Sequence, residues 1–327
     1  MRTFKIGLLV FDGCQESSLT ASLDVFRVLE AISARGPAAA RVIINAEFIS
    51  VGGGIRKTAA GLEVVTCRAD AELLDALIAP GIHHSSAADI NGALAELVPE
   101  TQLLARVADA GKPVLGACSA VFLLGASGLL DGRGATTSWW LGPTLHAAFP
   151  KIRVETEGRI FADGVCVTGA GVRSYYDLAL WLVQRFAGEE MGRACAKFLL
   201  LDLDRQSQTP FVIDSMIETP SEDLLAKARA WLNERLTAPI RIDDLARHCG
   251  VSQRTLLRRF RETTDRSPAR YIQSLRLNRA KALLEETMLP VAEIVAQCGY
   301  MDIATFRKTF KLRIRLTPQQ YRNRFHR

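Results

Sequence analysis

Short apolar runs alternate with amphipathic stretches over the first 200 residues. Phe4 to Phe11 is an apolar run closed by Asp12-Gly13 and predicts a buried strand. From Ser17 to Ala34, Leu19, Leu23, Phe26, Val28 and Leu29 supply one apolar face, which predicts a helix. Arg41 to Val51 predicts a second strand, and Ala76 to Pro80 a third, stopped by Pro80-Gly81. An Ala/Leu-rich helix is expected over Ala93 to Ala110. A fourth strand over Pro113 to Ala117 runs at once into a helix over Ser119 to Ala126. Arg153 to Thr156, Arg159 to Ala162 and Val165 to Thr168 read as a small meander. Helices over Val172 to Phe186 and Glu190 to Leu200 close the domain. This alternation predicts a flavodoxin-like α/β sandwich, a mostly parallel sheet with helices on both faces.

The last hundred residues repeat themselves. Leu245-Ala246-Arg247-His248-Cys249-Gly250-Val251-Ser252, with Leu256 and Phe260, returns as Ile294-Val295-Ala296-Gln297-Cys298-Gly299-Tyr300, with Phe306 and Phe310. Ser267-Pro268-Ala269-Arg270-Tyr271 returns as Thr317-Pro318-Gln319-Gln320-Tyr321, an offset of roughly 50 residues. Each copy predicts two short helices around a glycine turn, an all-α tandem helix-turn-helix domain. In the first, Leu245 and Cys249 face inward, Ala246 lets the helices cross closely, and Ser252 caps the second helix. In the second, Gly299 turns the chain and Asp302 caps. A long helix from Ser274 to Glu286 bridges the copies, and another runs from a cap at Ser221 to about Leu236. Residues facing away from the anchors are Gln253, Arg254, Thr255, Arg258 and Arg259 in the first copy. In the second they are Thr305, Arg307, Lys308 and Lys311. A recognition helix offers such side chains to base edges and phosphates.

Charge separates the same regions. The net charge of +6 conceals 22 Lys and Arg against 11 Asp and Glu from Glu222 onward, and 19 against 24 before it. A basic third on an acidic body points to a polyanionic partner for that third. Residues 1–201 therefore form one domain, the proline-punctuated 202–221 a linker packed in part through Phe211-Val212-Ile213, and 222–327 the second domain. Seven scattered cysteines without a C-x-x-C pair predict reduced thiols and a cytoplasmic location. No metal site is expected, since the histidines do not cluster with cysteines at ligand spacing. No cofactor is expected either. The N-terminal run has no signal-peptide cleavage site, and no apolar stretch is long enough to span a membrane, so none is expected as a partner.

The join Val114-Leu115-Gly116-Ala117-Cys118-Ser119-Ala120 carries the candidate chemistry of the first domain. A strand that turns into a helix with no loop needs small residues and places Cys118 at the turn, at the sheet edge where ligands bind in open α/β folds. The helix N-terminus beneath would lower the thiol pKa. The plainer reading is a small buried residue at a tight join.

Gly116-Ala117-Cys118-Ser119-Ala120, Ala126-Ser127-Gly128-Leu129-Leu130-Asp131-Gly132-Arg133 and Ala135-Thr136-Thr137-Ser138-Trp139 resemble the PfpI-like, class I glutamine amidotransferase-like superfold. Asp75-Ala76-Leu77-Ile78-Ala79-Pro80-Gly81 and Thr168-Gly169-Ala170-Gly171 fit it as well. The resemblance runs from about Phe4 to Leu200, and is closest to the version fused to AraC-type regulators. Where relatives often carry histidine after the Thr-Thr pair, this chain has Ser138. Where catalytic relatives place a glutamate at the first helix, it has Ser18, with Glu16 nearby in a different phase. Residues 222–325 resemble the AraC-type DNA-binding domain through Arg258, Phe260, Pro268, Tyr271, Gly299, Phe306, Phe310, Pro318 and Tyr321. Asp265 and Arg315 stand where that family usually has glycine.

The resemblance implies a sequence-specific transcription regulator that binds double-stranded promoter DNA and senses a small-molecule effector, nitrogenous or carboxylate-bearing. It also implies a homodimer and contact with RNA polymerase. The expected effector pocket is lined by Cys118, Ser119, Ser138, Trp139, Gly81, His83, Gly171 and Arg173. Without a base or acidic partner for Cys118, no catalytic residue is assigned and an enzyme is not expected. The alternatives are a cysteine-dependent amidase fused to a DNA-binding domain, in which His83 or His84 supplies the base, and a ligand-independent regulator with a dimerisation body.

Overall fold

The computed structural model describes residues 1–37, 41–202, 207–213, 223–264 and 266–326. It divides into two units, Met1–Gln208 and Thr209–Arg327. The division falls inside the stretch read as a linker; the Ser221 cap and Asp265 lie outside the described residues.

The first unit is built on an eight-stranded sheet in the order β3-β4-β2-β1-β5-β6-β10-β9. Its strands are β1 (Arg2–Leu9), β2 (Val42–Ser50), β3 (Gly54–Lys57), β4 (Glu63–Arg68), β5 (Ala76–Ala79), β6 (Val114–Ala117), β9 (Ile160–Asp163) and β10 (Cys166–Gly169). The pairs from β4 through β2, β1, β5 and β6 to β10 are parallel; the β3–β4 and β9–β10 pairs are antiparallel. The mostly parallel α/β sandwich is therefore as expected. The short apolar strands β5, β6 and β10 are buried throughout, as strands covered on both faces must be.

Helices α1 (Glu16–Ser33), α6 (Ser174–Ala187) and α7 (Glu189–Phe198) pack together on one face, where Val25, Leu29, Tyr175, Leu178 and Leu182 form a core with Ile6 and Leu8. The other face takes α2 (Ala87–Glu96), α3 (Val98–Asp109) and α4 (Ala120–Ala126), with Leu103, Leu104, Val107 and Leu123 fully buried.

Several local expectations are corrected. The single helix over Ala93 to Ala110 is two helices. Pro99 accounts for the break: it has no N–H to carry the hydrogen-bond ladder on from α2, and it suits the first turn of a new helix. Only the last two strands of the expected meander pair with each other, β9 antiparallel with β10; β8 (Arg153–Val154) pairs in parallel with β7 (Gly134–Ala135) in a separate small sheet, and β10 also enters the main sheet beside β6. The hairpin β3–β4 and the helix α5 (Gly142–Ala148) had no clear periodic signal.

The second unit holds seven α-helices among its described residues after a 3-10 turn at Thr209–Phe211: α8 (Asp223–Arg235), α9 (Ile242–His248), α10 (Gln253–Thr264), α11 (Pro268–Glu286), α12 (Val291–Gln297), α13 (Ile303–Ile314) and α14 (Pro318–Phe325). The bridging helix α11 begins at Pro268 and not at Ser274, because the Ser267 hydroxyl accepts the Arg270 N–H and Pro268 fits the first helical position. Tyr271, Ile272 and Leu275 on its first half join Leu245, Leu256 and Phe260 in one core. Leu277, Ala280 and Leu284 on its second half join Ile294, Phe306, Phe310 and Tyr321 in another. Arg315 ends α13 in the left-handed region, with φ of 63°, the conformation its alignment with a glycine position implies.

Candidate functional site

Two sites emerge, one in each unit. In the first, the carboxyl ends of β1, β5, β6 and β10 converge where the strand order reverses, the place such folds leave a crevice. Cys14 bridges to Ile82, and the Gln15 N–H donates to Gly81 O at 2.9 Å. The Gly81 N–H donates to Ser18 Oγ at 3.1 Å, and Ser119 Oγ donates to Ile82 O at 2.8 Å. Cys118 sits at the centre with φ of 58°, a left-handed backbone that few non-glycine residues adopt. Its N–H donates to Gly169 O at 3.0 Å, and its carbonyl accepts the Thr137 hydroxyl at 2.8 Å. These bonds hold the strand-to-helix elbow in its strained form.

The partner of the Cys118 thiol is a hydroxyl. Ser138 Oγ lies 2.8 Å from Ala170 O and 3.1 Å from Cys118 Sγ. The hydroxyl sits between the carbonyl and the thiol and has one proton to offer them. Burial pushes the Cys118 pKa up, against smaller lowering contributions from hydrogen bonds to Ser138 and Ser119. The helix N-terminus was expected to lower it; with Cys118 only 2% exposed, desolvation of the thiolate dominates. Ser119 and Ser138 are fully buried, Trp139 nearly so.

The structure thus brings together Gly81, Cys118, Ser119, Ser138 and the Ala170-Gly171 turn. It leaves His83 and Arg173 exposed. No hydrogen bond between His83 or His84 and Cys118 is found among the described residues, and His84 Nδ1 pairs with Ile82 O.

Two residues of this site carried no sequence signal. Gln15 Oε1 is buried and finds no hydrogen-bond partner among the described residues. It abuts Gly81, where an added Cβ would come within 2.6 Å of it and 3.3 Å of Ser119 Oγ. Gln208, 8% exposed, reaches the site from far along the chain. Its Oε1 accepts the Trp139 N–H at 2.9 Å and its Nε2 donates to Thr137 O at 3.0 Å. The amide so brackets Ser138, and the next residue, Thr209, begins the second unit.

The second site is a pair of helix-turn-helix motifs closed by the same turn. In the first, Gly250 (φ 70°) donates to Arg247 O and Val251 to Ala246 O, both at 3.1 Å. In the second, Gly299 (φ 73°) donates to Ala296 O at 3.2 Å and Tyr300 to Val295 O at 3.1 Å. This is the Schellman arrangement, which needs a left-handed residue where each glycine stands. At Gly299 a Cβ would also meet Leu236 O at 2.1 Å. Ser252 and Asp302 cap the following helices as expected, accepting N–H groups from Thr255 and from Ala304 and Thr305. Leu256 and Phe260, and Phe306 and Phe310, are fully buried. Cys249, expected to face inward, is only half-buried.

With those anchors inside, Gln253, Arg254, Arg258 and Arg259 are exposed on α10, as are Thr305, Arg307, Lys308 and Lys311 on α13. Thr255 is half-buried, its hydroxyl 2.9 Å from Ser252 Oγ. Arg258 pairs with Glu262 one turn on, at 2.9 Å. Both partners are exposed, so the pair is weak enough to yield to a phosphate. Leu257, Met301, Ile303 and Ala304 are exposed on or beside the same two helices and were not among the expected contacts. Among the described residues no group of three or more His, Cys, Asp or Glu could hold a metal, and no helix is long and apolar enough to cross a membrane.

Residues 245–324 match the family model described as a helix-turn-helix domain. The chain is 29% identical over 215 residues to the HTH-type transcriptional regulator GbdR of Pseudomonas aeruginosa, covering 65% of this chain and 58% of that regulator. It is 28% identical over 223 residues to the HTH-type transcriptional regulator GlxA of Rhizobium meliloti, covering 68% of each. Among solved structures, an AraC family transcriptional regulator from Pseudomonas putida is 20% identical, with a TM-score of 0.49 over 60% of this chain and 99% of that one. A THiJ/PfpI family protein from Pseudomonas syringae is 23% identical, with a TM-score of 0.49 over 61% and 76%.

The buried thiol makes a direct prediction. In the native full-length protein at pH 8, iodoacetamide should label exposed Cys67 well before Cys118, and Cys118 should react appreciably only once the chain is unfolded. Peptide mass spectrometry over time reads both. Labelling of Cys118 as fast as Cys67 would mean an activated thiolate.

Proposed function

We propose that this chain, whose C-terminal domain is an AraC-type helix-turn-helix domain, is a transcription regulator that binds specific double-stranded DNA and senses a small nitrogenous effector through its N-terminal PfpI-like unit. The observation that carries the DNA-binding reading is the doubled motif. Two glycine turns of the same hydrogen-bond pattern, each followed by a helix with buried anchors, leave two basic helix faces exposed on units that share α11. Gln253, Arg254 and Arg258 contact base edges or adjacent phosphates, and Arg307, Lys308 and Lys311 grip the backbone.

Support for sensing comes from the elbow site. A protonated, hydroxyl-paired thiol with no base in reach is poor equipment for acyl transfer, which favours binding over turnover. The buried acceptor Gln15 Oε1 lacks a donor and suits an effector bearing N–H groups. An effector that shifts Thr136–Trp139 acts directly on Gln208, next to the first residue of the DNA-binding unit. It switches the protein only by binding one arrangement more tightly than another. Residence in the cytoplasm, homodimer formation and contact with RNA polymerase belong to the same reading.

Arg258→Ala should weaken binding to a selected duplex by roughly 1–3 kcal/mol and relax its preference over random DNA, measured by mobility shift. Log affinity should fall steadily with log salt as phosphate contacts release counterions; a flat response would remove those contacts. A thermal-shift screen of the full chain against amines, amino acids and betaines should find a stabilising compound. The shift should vanish in Gln15→Leu. A shift that survives that change would move the effector elsewhere.

A further inference from the structure

The two recognition helices differ most where they should meet bases. The first two residues of α10 are Gln253 and Arg254, both exposed and both hydrogen-bonding. The first two of α13 are Ile303 and Ala304, also exposed, and neither side chain can donate or accept a hydrogen bond. The turn before α13 is one residue longer: from Gly250 the capping Ser252 is two residues on, from Gly299 the capping Asp302 is three. The extra residue is Met301, fully exposed. An apolar tip of Met301, Ile303 and Ala304 is thus exposed at the mouth of the second motif.

Its surroundings restrict what can cover it. On the same helix Arg307, Lys308 and Lys311 are exposed cations, so the occupant carries negative charge around an apolar feature. The major groove of DNA offers that combination at one place, the thymine 5-methyl group flanked by phosphates. N-terminal residues of a recognition helix are the ones that reach base edges. Asp302 caps the helix, its carboxylate accepting the Ala304 N–H at 3.2 Å and the Thr305 N–H at 2.6 Å, which holds the tip in place.

Building on the DNA-binding reading above, we propose that the second motif reads thymine 5-methyl groups through Ile303 and Ala304, while the first motif reads its half-site by hydrogen bonds. Met301 closes the contact from the turn. Removing one buried methyl should weaken binding about fourfold, the effect of exposing one such group.

The test uses the full-length chain and a duplex selected from a random-sequence pool, with thymine replaced by deoxyuridine in one half of the site at a time. Deoxyuridine pairs identically and lacks only the methyl. The expected result is a three- to tenfold loss of affinity in one half and less than a twofold change in the other. Ile303→Ala should abolish the discrimination and Ile303→Val should keep it; far-ultraviolet circular dichroism confirms that both fold. Equal affinity for thymine and deoxyuridine in both halves overturns the inference, as does discrimination that survives Ile303→Ala. Failure to enrich any duplex overturns the DNA-binding reading and the inference with it.

Discussion

Two small hydrophobic cores share one helix, and the helix-turn-helix unit depends on that sharing. Leu275 on α11 belongs to the core under the first recognition helix, and Leu277, two residues on, to the core under the second. Neither core is large enough to be stable alone in a unit of this size. Fused through a helix of 19 residues, about 28 Å long at 1.5 Å per residue, they support each other and fix the distance between the motifs. Lys281, buried on α11 and bonded to the Val212 carbonyl, also ties the segment that follows Gln208 to this helix.

The second constraint is abrupt chain reversal. Each recognition helix follows its partner after a turn that only a left-handed residue closes, and glycine supplies it at 250 and 299. The elbow at Cys118 solves a similar problem with a non-glycine residue at φ 58°. There the strain is balanced by backbone and side-chain bonds from Gly169 and Thr137. The thiol gains no acidity from this placement, because the same packing that enforces the elbow excludes water from it. A geometry associated with nucleophiles is here filled by a hydroxyl-paired thiol, which fits recognition better than chemistry.

Much of this was legible in the sequence because the signals were doubled. Glycine, cap and aromatic anchors recur together in the C-terminal third, so each copy corroborates the other, and apolar runs bounded by Gly and Pro located β1, β5 and β6. What escaped had no local signature. Gln208 lies about 70 residues from the backbone it brackets, and nothing in Gln206-Ser207-Gln208 distinguishes its amide from a solvated one. Gln15 matters only because Gly81 leaves room beside it. Ile303 and Ala304 carry no sequence signal, because only burial separates an exposed isoleucine from a core one. The β3–β4 hairpin pairs exposed Ile55 with exposed Val65, so its strands lack the polar alternation that marks a half-buried edge.

In the proposed function, α11 holds both helix-turn-helix motifs on the duplex together. The most direct test measures the affinity of the full-length chain for a selected duplex and for the same duplex with five base pairs inserted between its half-sites. Half a turn of added DNA carries the second half-site to the opposite face, so affinity should fall to that for random DNA. Unchanged affinity would contradict the account, since it would mean that the two motifs do not engage the duplex together.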